Sequence, residues 1–174
     1  MALVTLAEIL KATRRNRYAV CAINVANYET IRGVLKAAVA ERKPVIVQFY
    51  DRLFNDTLGE DLGPLVRALA KDLDVAVALH LDHCKTREHI EKALRAGFTS
   101  VMIDASEKPL EENIRLTKEI ADLAHGVGVS VEGELGRLSS AAASAPASPH
   151  TAPAEAKRFV EETGIDALAV AIGT

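Results

Sequence analysis

The sequence predicts an α/β fold in which helices cover a parallel sheet. Short apolar runs alternate along the chain with longer segments whose apolar residues recur at the helical period. The short runs are apolar on both faces, which is typical of strands in a parallel sheet covered by helices. The chain has 174 residues, of which 49% are hydrophobic, enough for a substantial core. We therefore expect one domain of alternating βα units over residues 1–174.

Six strands and five helices follow from this alternation. The predicted strands are YAVCAINV (18–25), PVIVQF (44–49), DVAVALHL (74–81), TSVMID (99–104), GVSVEGEL (128–135) and DALAVAIG (166–173). The predicted amphipathic helices cover residues 28–42, 57–72, 86–96, 108–125 and 153–164. Glycines stand where three of these helices should end, as helix termini favour. Residues 137–152 are almost wholly Ala, Ser and Pro, a composition that predicts a flexible loop.

Ionisable residues at the strand ends favour a barrel over a doubly wound sheet. Asp82 and His83 follow the third strand, Asp104 ends the fourth, and Glu134 lies near the end of the fifth. In a (β/α)8 barrel the working residues sit at the C-terminal ends of several strands. A dinucleotide-binding sheet would instead have a glycine-rich turn after its first strand, and NVANYET (24–30) contains no glycine. We predict a (β/α)8 TIM barrel, truncated after its sixth strand.

The same strand ends predict a metal site. Strand alternation puts His80 and Asp82 on one face, while His83 begins the loop. At a barrel mouth His83 would approach Asp104 and Glu134 from the next two strands. Imidazole and carboxylate ligands together suit Zn²⁺ or another divalent metal. Such an ion would stabilise an enolate developing on a substrate carbonyl.

Structural roles remain open for each of these residues taken alone. A histidine after a strand is more often a hydrogen-bonded structural residue than a metal ligand. Asp104 could cap the helix that follows it. We interpret His80 as a satisfied histidine of the core. Ionisable groups at the ends of three successive strands nevertheless favour a functional site.

Four segments resemble a known family in their order and spacing: HLDHC (80–84), SVMIDAS (100–106), SVEGELG (130–136) and GIDALAVAIGT (164–174). The family is that of the class II, metal-dependent fructose- or tagatose-bisphosphate aldolases. The resemblance begins near residue 3 and runs to the end of the chain. It implies a (β/α)8 barrel, usually dimeric or larger. It also implies reversible aldol cleavage of a ketose 1,6-bisphosphate to dihydroxyacetone phosphate and glyceraldehyde 3-phosphate.

The resemblance assigns roles to five residues. Asp82 matches the catalytic aspartate that moves a proton to and from the C4 hydroxyl, and His83 matches the first ligand of the catalytic zinc. Asp104 and Glu134 match carboxylates that hold a second or alternate metal position. Asn24 stands where the family has a substrate-contacting asparagine. Zinc would polarise the ketone and stabilise the enediolate.

The chain also departs from the family pattern. After AVAIGT the family continues with a histidine that is its second zinc ligand, and the third ligand and phosphate-binding loops follow later. The loop after ELG lacks the usual acidic residue, and Tyr50 replaces a small residue at the substrate. We therefore expect impaired activity in this chain alone. The alternative is a non-catalytic aldolase-like remnant that binds a metal, a sugar phosphate or a partner protein.

Charge and hydropathy argue against nucleic acid or a membrane as a partner. The net charge of −3, with both signs interspersed, gives no basic footprint for nucleic acid. No apolar run approaches the roughly 20 residues that span a bilayer, and no signal peptide is visible.

Two cysteines, Cys21 and Cys84, make no disulfide framework and are interpreted as small buried residues. We expect a cytoplasmic protein, and a homo-oligomer because the first and last strands are uncharged, apolar edges.

Overall fold

The structure, a computed structural model, describes residues 3–136 and 150–172 and contains a six-stranded parallel sheet. The strands pair in chain order and are β1 (Ala22–Asn24), β2 (Val45–Tyr50), β3 (Val77–Cys84), β4 (Ser100–Ile103), β5 (Ser130–Leu135) and β6 (Ala167–Val170). The helices are α1 (Leu6–Asn16), α2 (Tyr28–Glu41), α3 (Leu58–Ala70), α4 (Arg87–Arg95), α5 (Leu110–His125) and α6 (Pro153–Thr163). A 3-10 turn, Asp51–Phe54, follows β2. The six strands and five connecting helices predicted from the sequence are confirmed, and they form part of a barrel.

The core lies mainly between the sheet and the helices that cover it. Fully buried side chains such as Val47, Leu79 and Val131 point outward from the strands into this layer. Because the central strands β2 to β5 are largely buried on both faces, their sequences are mainly apolar runs. The inner face begins with a smaller apolar cluster and becomes polar toward the C-terminal strand ends.

Helix α1 covers the N-terminal end of the inner face. Its buried Leu6 and Ile9 pack against Ile46 and Ala78 of the sheet. Thr5 and Glu8 form a capping box that begins the helix. The strand–helix alternation did not predict α1, because no strand precedes it.

Strand β3 extends beyond its predicted end at residue 81 and contains a bulge. Leu81 pairs with Val101, and Cys84 pairs with Ile103, so two residues of β3 stand opposite one residue of β4. These two residues are Asp82 and His83, and His83 has a positive φ of 51°. The bulge lets consecutive side chains reach the same end of the inner face, which simple alternation forbids.

The structure bears on two further predictions, the burial of the two cysteines and the loop at residues 137–152. Cys84 is buried as interpreted, but Cys21 is exposed because it lies beside the edge strand β1. Of the predicted loop 137–152, residues 137–149 lie outside the described part of the chain. Thr151, which is described, donates hydrogen bonds to the carbonyls of Leu135 and Ala171 at 2.7 and 2.9 Å. None of the described helices is long and apolar enough to cross a membrane.

Candidate metal centre and active site

An imidazole and two carboxylates meet at the C-terminal ends of three neighbouring strands. Nδ1 of His83 lies 3.5 Å from Oδ2 of Asp104 and 3.3 Å from Oε2 of Glu134. These residues come from β3, from the residue directly after β4, and from β5. Each offers one ligand atom, and the three atoms lie within 4.8 Å of one another. The structure thus brings together the three residues that the sequence suggested as metal ligands.

One carboxylate oxygen in this cluster lacks a hydrogen bond. Oε2 of Glu134 is buried and has no hydrogen-bond partner among the described residues, although it lies close to His83. Leaving a buried charged oxygen without a donor is unfavourable. A divalent cation would satisfy it, and one imidazole with two carboxylates is a donor set that zinc accepts. Three protein ligands would also leave a fourth position open. The residues present therefore fit a divalent metal.

The carboxylates control the charge of the imidazole. Contacts with Asp104 and then Glu134 raise the pKa of His83 to about 10. The same contact with His83, aided by hydrogen bonds from Ser106, lowers the pKa of Asp104 to about 2. Without a metal, His83 is therefore a cation held between two anions at neutral pH. A metal that binds His83 must displace this proton.

Asp104 is oriented by the turn that follows it. Its Oδ1 accepts hydrogen bonds from the backbone N–H and the hydroxyl of Ser106, at 3.1 and 2.7 Å. This arrangement leaves Oδ2 directed at His83. Helix α5 begins only at Leu110, with Pro109 at its N-cap position. The alternative in which Asp104 caps the next helix is therefore wrong.

Asp82 lies beside the cluster and is almost fully buried. Its Oδ1 is 4.0 Å from Nε2 of His83. Its Oδ2 accepts a hydrogen bond of 3.0 Å from Nδ2 of Asn24 on β1. The residue suggested as the catalytic acid–base and the residue suggested for substrate binding are thus bonded to each other. Both stand next to the candidate metal ligands.

The sequence matches the family model of the class II fructose-bisphosphate aldolases over residues 4–174. The chain belongs to this family. Two relatives named fructose-bisphosphate aldolase support the assignment. The protein from Giardia intestinalis is 44% identical over 182 residues, and the alignment covers 100% of this chain and 54% of the relative. The protein from Thermus caldophilus is 46% identical, with 99% and 57% covered.

Solved aldolase structures have the same fold. The YdjI aldolase from Escherichia coli K12 superposes with a TM-score of 0.87 at 38% identity, covering 98% of this chain and 61% of that chain. The fructose-bisphosphate aldolase from Campylobacter jejuni gives 0.85 at 26% identity, with 99% and 59% covered. The predicted barrel fold is confirmed. The chain spans between about half and three fifths of the length of these relatives.

Several residues that support the candidate site were not predicted from the sequence. Asn113 is buried on α5, and its Nδ2 donates a hydrogen bond of 2.9 Å to the backbone carbonyl of Glu134. Thr117 in turn donates to Oδ1 of Asn113 at 3.1 Å. The available signal was an asparagine at an apolar position of an amphipathic helix. Ser106 also had a signal, because Asp-x-Ser is a common turn sequence.

Two other residues suggested by the sequence lie nearby. His80 is 1% exposed, and its Nδ1 forms a hydrogen bond of 2.8 Å with the hydroxyl of Ser100. Its Nε2 lies 3.3 Å from Oε2 of Glu132 without forming a hydrogen bond, so the interpretation as a fully satisfied core histidine is only half right. The half-exposed Tyr50 ring stands edge-on to His83, with centroids 6.2 Å apart. Tyr50 therefore forms an aromatic wall beside the candidate metal centre.

Proposed function

We propose that this chain provides the metal centre and the acid–base residue of a class II, zinc-dependent ketose-1,6-bisphosphate aldolase. The reaction would be reversible cleavage to dihydroxyacetone phosphate and glyceraldehyde 3-phosphate. The observation that carries the proposal is the meeting of His83, Asp104 and Glu134 next to Asp82. We further propose that the protein acts in the cytoplasm as a homo-oligomer.

Three residues would hold the ion in this proposal. His83, Asp104 and Glu134 supply the ligand atoms, and Oε2 of Glu134, which accepts no hydrogen bond among the described residues, supports a cation at this point. Zinc bound there would polarise the substrate carbonyl and stabilise the negative charge that develops on its oxygen.

Asp82 would carry the proton in cleavage and condensation. In the cleavage direction its carboxylate takes the proton from the C4 hydroxyl, and in condensation it returns that proton. Asn24 occupies Oδ2 of Asp82, so Oδ1 is the oxygen left for the substrate hydroxyl. The amide atoms of Asn24 that this bond does not use would contact the substrate.

A second candidate is a non-catalytic, aldolase-like protein that binds a metal, a sugar phosphate or a partner. The observation that favours it is the composition of the cluster, which contains a single imidazole among the described residues. Tyr50 beside His83 also narrows the space for a substrate.

The two candidates differ in turnover. The test is whether the purified chain cleaves fructose or tagatose 1,6-bisphosphate. The release of triose phosphate is measured first with added zinc and then with a chelator. We expect chelator-sensitive turnover that Asp82→Asn lowers by about 10²–10⁴-fold. Asp122→Asn changes an exposed carboxylate paired with Lys118 and serves as the matched control. Zinc binding at the cluster without turnover would support the second candidate, and no zinc binding would contradict both metal-binding proposals.

A further inference from the structure

A second group of potential metal ligands lies behind the candidate active site. Asp51, Cys84 and His89 each offer one ligand atom, and these atoms lie within 4.8 Å of one another. Asp51 begins the 3-10 turn after β2, Cys84 ends β3, and His89 lies in the first turn of α4. The 3-10 turn, the end of β3 and the start of α4 therefore meet at this group.

The two groups occupy opposite faces of the same strand end. Cys84 packs into the core between the sheet and the helices, together with Leu81. His83 turns to the inner face, where it meets Asp104 and Glu134. The bulge in β3 separates the directions of the adjacent residues His83 and Cys84. The second group shares no ligand with the first and does not depend on the proposed aldolase activity.

The donor set indicates the class of ion. A thiol, an imidazole and a carboxylate together suit Zn²⁺ and other thiophilic divalent cations rather than Mg²⁺ or Ca²⁺. We propose that Asp51, Cys84 and His89 form a second, structural binding site for Zn²⁺ or a similar thiophilic cation. The ion would join the ends of β2 and β3 to the first turn of α4. It would thereby support the strand end that carries Asp82 and His83.

The local geometry needs only small changes to accept an ion. Nδ1 of His89 lies 2.8 Å from Oδ1 of Asp51, which is a hydrogen bond. Ligand atoms around tetrahedral zinc stand about 3.4 Å apart, so this pair must open slightly. The side chains of His89 and Asp51 are 12% and 19% exposed, so these two ligands face the surface, whereas Cys84 is fully buried. Solvent could then supply the fourth ligand.

Cys84 could act either as a metal-binding thiolate or as a protonated thiol that packs in the core. Its thiol donates a hydrogen bond of 3.2 Å to the carbonyl of Thr86, and burial raises its pKa. Since the metal ligand is the thiolate, an ion must displace the thiol proton and release it to solvent. The competing role is a packing thiol beside a simple Asp51–His89 pair. Metal binding decides between these roles.

Cobalt distinguishes the two metal sites because only one contains sulfur. Co²⁺ bound by a thiolate has an intense sulfur-to-metal charge-transfer absorption, which a cluster of His83, Asp104 and Glu134 cannot produce. We expect this band when the purified chain binds Co²⁺, with added Zn²⁺ removing it. Cys84→Ser should abolish the band, whereas Cys21→Ser, which removes the exposed thiol, should leave it intact. His83→Ala should also leave the band intact.

Two less buried positions make the test independent of core damage at Cys84. His89→Gln and Asp51→Asn should each lower the affinity for Co²⁺, measured by titration of the charge-transfer band, by at least about tenfold. Circular dichroism should show that both variants fold. Direct metal analysis should find one bound zinc fewer in His89→Gln than in the unchanged chain. A folded chain without the charge-transfer band, or a band that persists in Cys84→Ser, would overturn the proposal.

Discussion

Asn24 donates a hydrogen bond of 3.0 Å to Asp82 although β2 lies between their two strands. The bond is possible because the inward side chains of a curved sheet converge at its C-terminal end. Asp82 is largely buried, and the side-chain amide of Asn24 donates a hydrogen bond to its Oδ2. Asn24 therefore has a structural role in addition to its proposed contact with the substrate.

Removing this donor should destabilise the fold. We expect Asn24→Ala to lower the free energy of unfolding by about 1 kcal/mol, because Asp82 loses a donor in a part-buried hydrogen bond. Asn24→Asp should cost more, because it places a second carboxylate beside Asp82. Urea denaturation measures both effects. Asn16→Ala, which removes an exposed amide that bonds to the Ala12 carbonyl, is the control, and equal stabilities for the Asn24 and Asn16 variants would contradict this role.

Metal affinity should depend on the two carboxylates that face His83. We expect Glu134→Gln and Asp104→Asn each to weaken zinc binding at this cluster by at least about tenfold, because each replaces an anionic ligand by a neutral amide. Calorimetric titration of metal-free protein measures the change, with the Cys84→Ser background removing any contribution from the second group. Glu119→Gln, at an exposed glutamate paired with Arg115, should bind zinc normally. Unchanged affinity in both variants would place the metal elsewhere.

The ionisation of His83 provides a test in the metal-free protein. Its pKa of about 10 lies above the ordinary value of 6.5 because Asp104 and Glu134 stabilise the imidazolium. Its stabilising contribution should therefore be complete below about pH 6.5 and disappear as the pH rises through about 10. The imidazole resonances followed by NMR against pH report this directly. Glu134→Gln should lower the midpoint, and a midpoint near 6.5 in the unchanged chain would contradict the observed contacts.

The edges of the described sheet should promote association. Ile23 on β1 and Val170 on β6 are 40% and 43% exposed, and each belongs to an edge strand. Exposed apolar edges favour pairing with another chain. We expect light scattering to find the purified chain in assemblies larger than a monomer, and Ile23→Lys with Val170→Lys to reduce them. Val127→Lys, at an exposed position outside the strands, should not, and a monodisperse unchanged monomer would contradict the expectation.

The sequence predicted the central strands because a helix-covered parallel sheet buries both of their faces, whereas the exposed edge strand β1 is shorter than its apolar run. This requirement leaves continuous apolar runs such as Val45–Tyr50, which stand out from the amphipathic helices around them. The same topology sends the C-terminal ends of neighbouring strands to one edge. For that reason, residues at strand ends could be grouped into a candidate site before their distances were known.

The details that the sequence did not reveal depend on contacts between segments. The bulge at Asp82 and His83 is a matter of register between β3 and β4, and no local pattern encodes it. The orientation of Asp104 requires Ser106, and the support of Glu134 requires Asn113 from a distant helix. Cys21 was misjudged because its run is apolar, while its exposure follows from its place beside β1, an edge strand of the described sheet.

The sheet order β1 to β6 has a consequence for the nascent protein. Each strand pairs with the one synthesised just before it, so the sheet can grow in the direction in which the chain leaves the ribosome. Asn24 and Asp82 can meet once three strands have emerged, His83 gains Asp104 with the fourth, and Glu134 joins with the fifth. Strand order alone therefore allows the acidic pocket to form stepwise as the chain emerges, with Asp104 and then Glu134 joining His83.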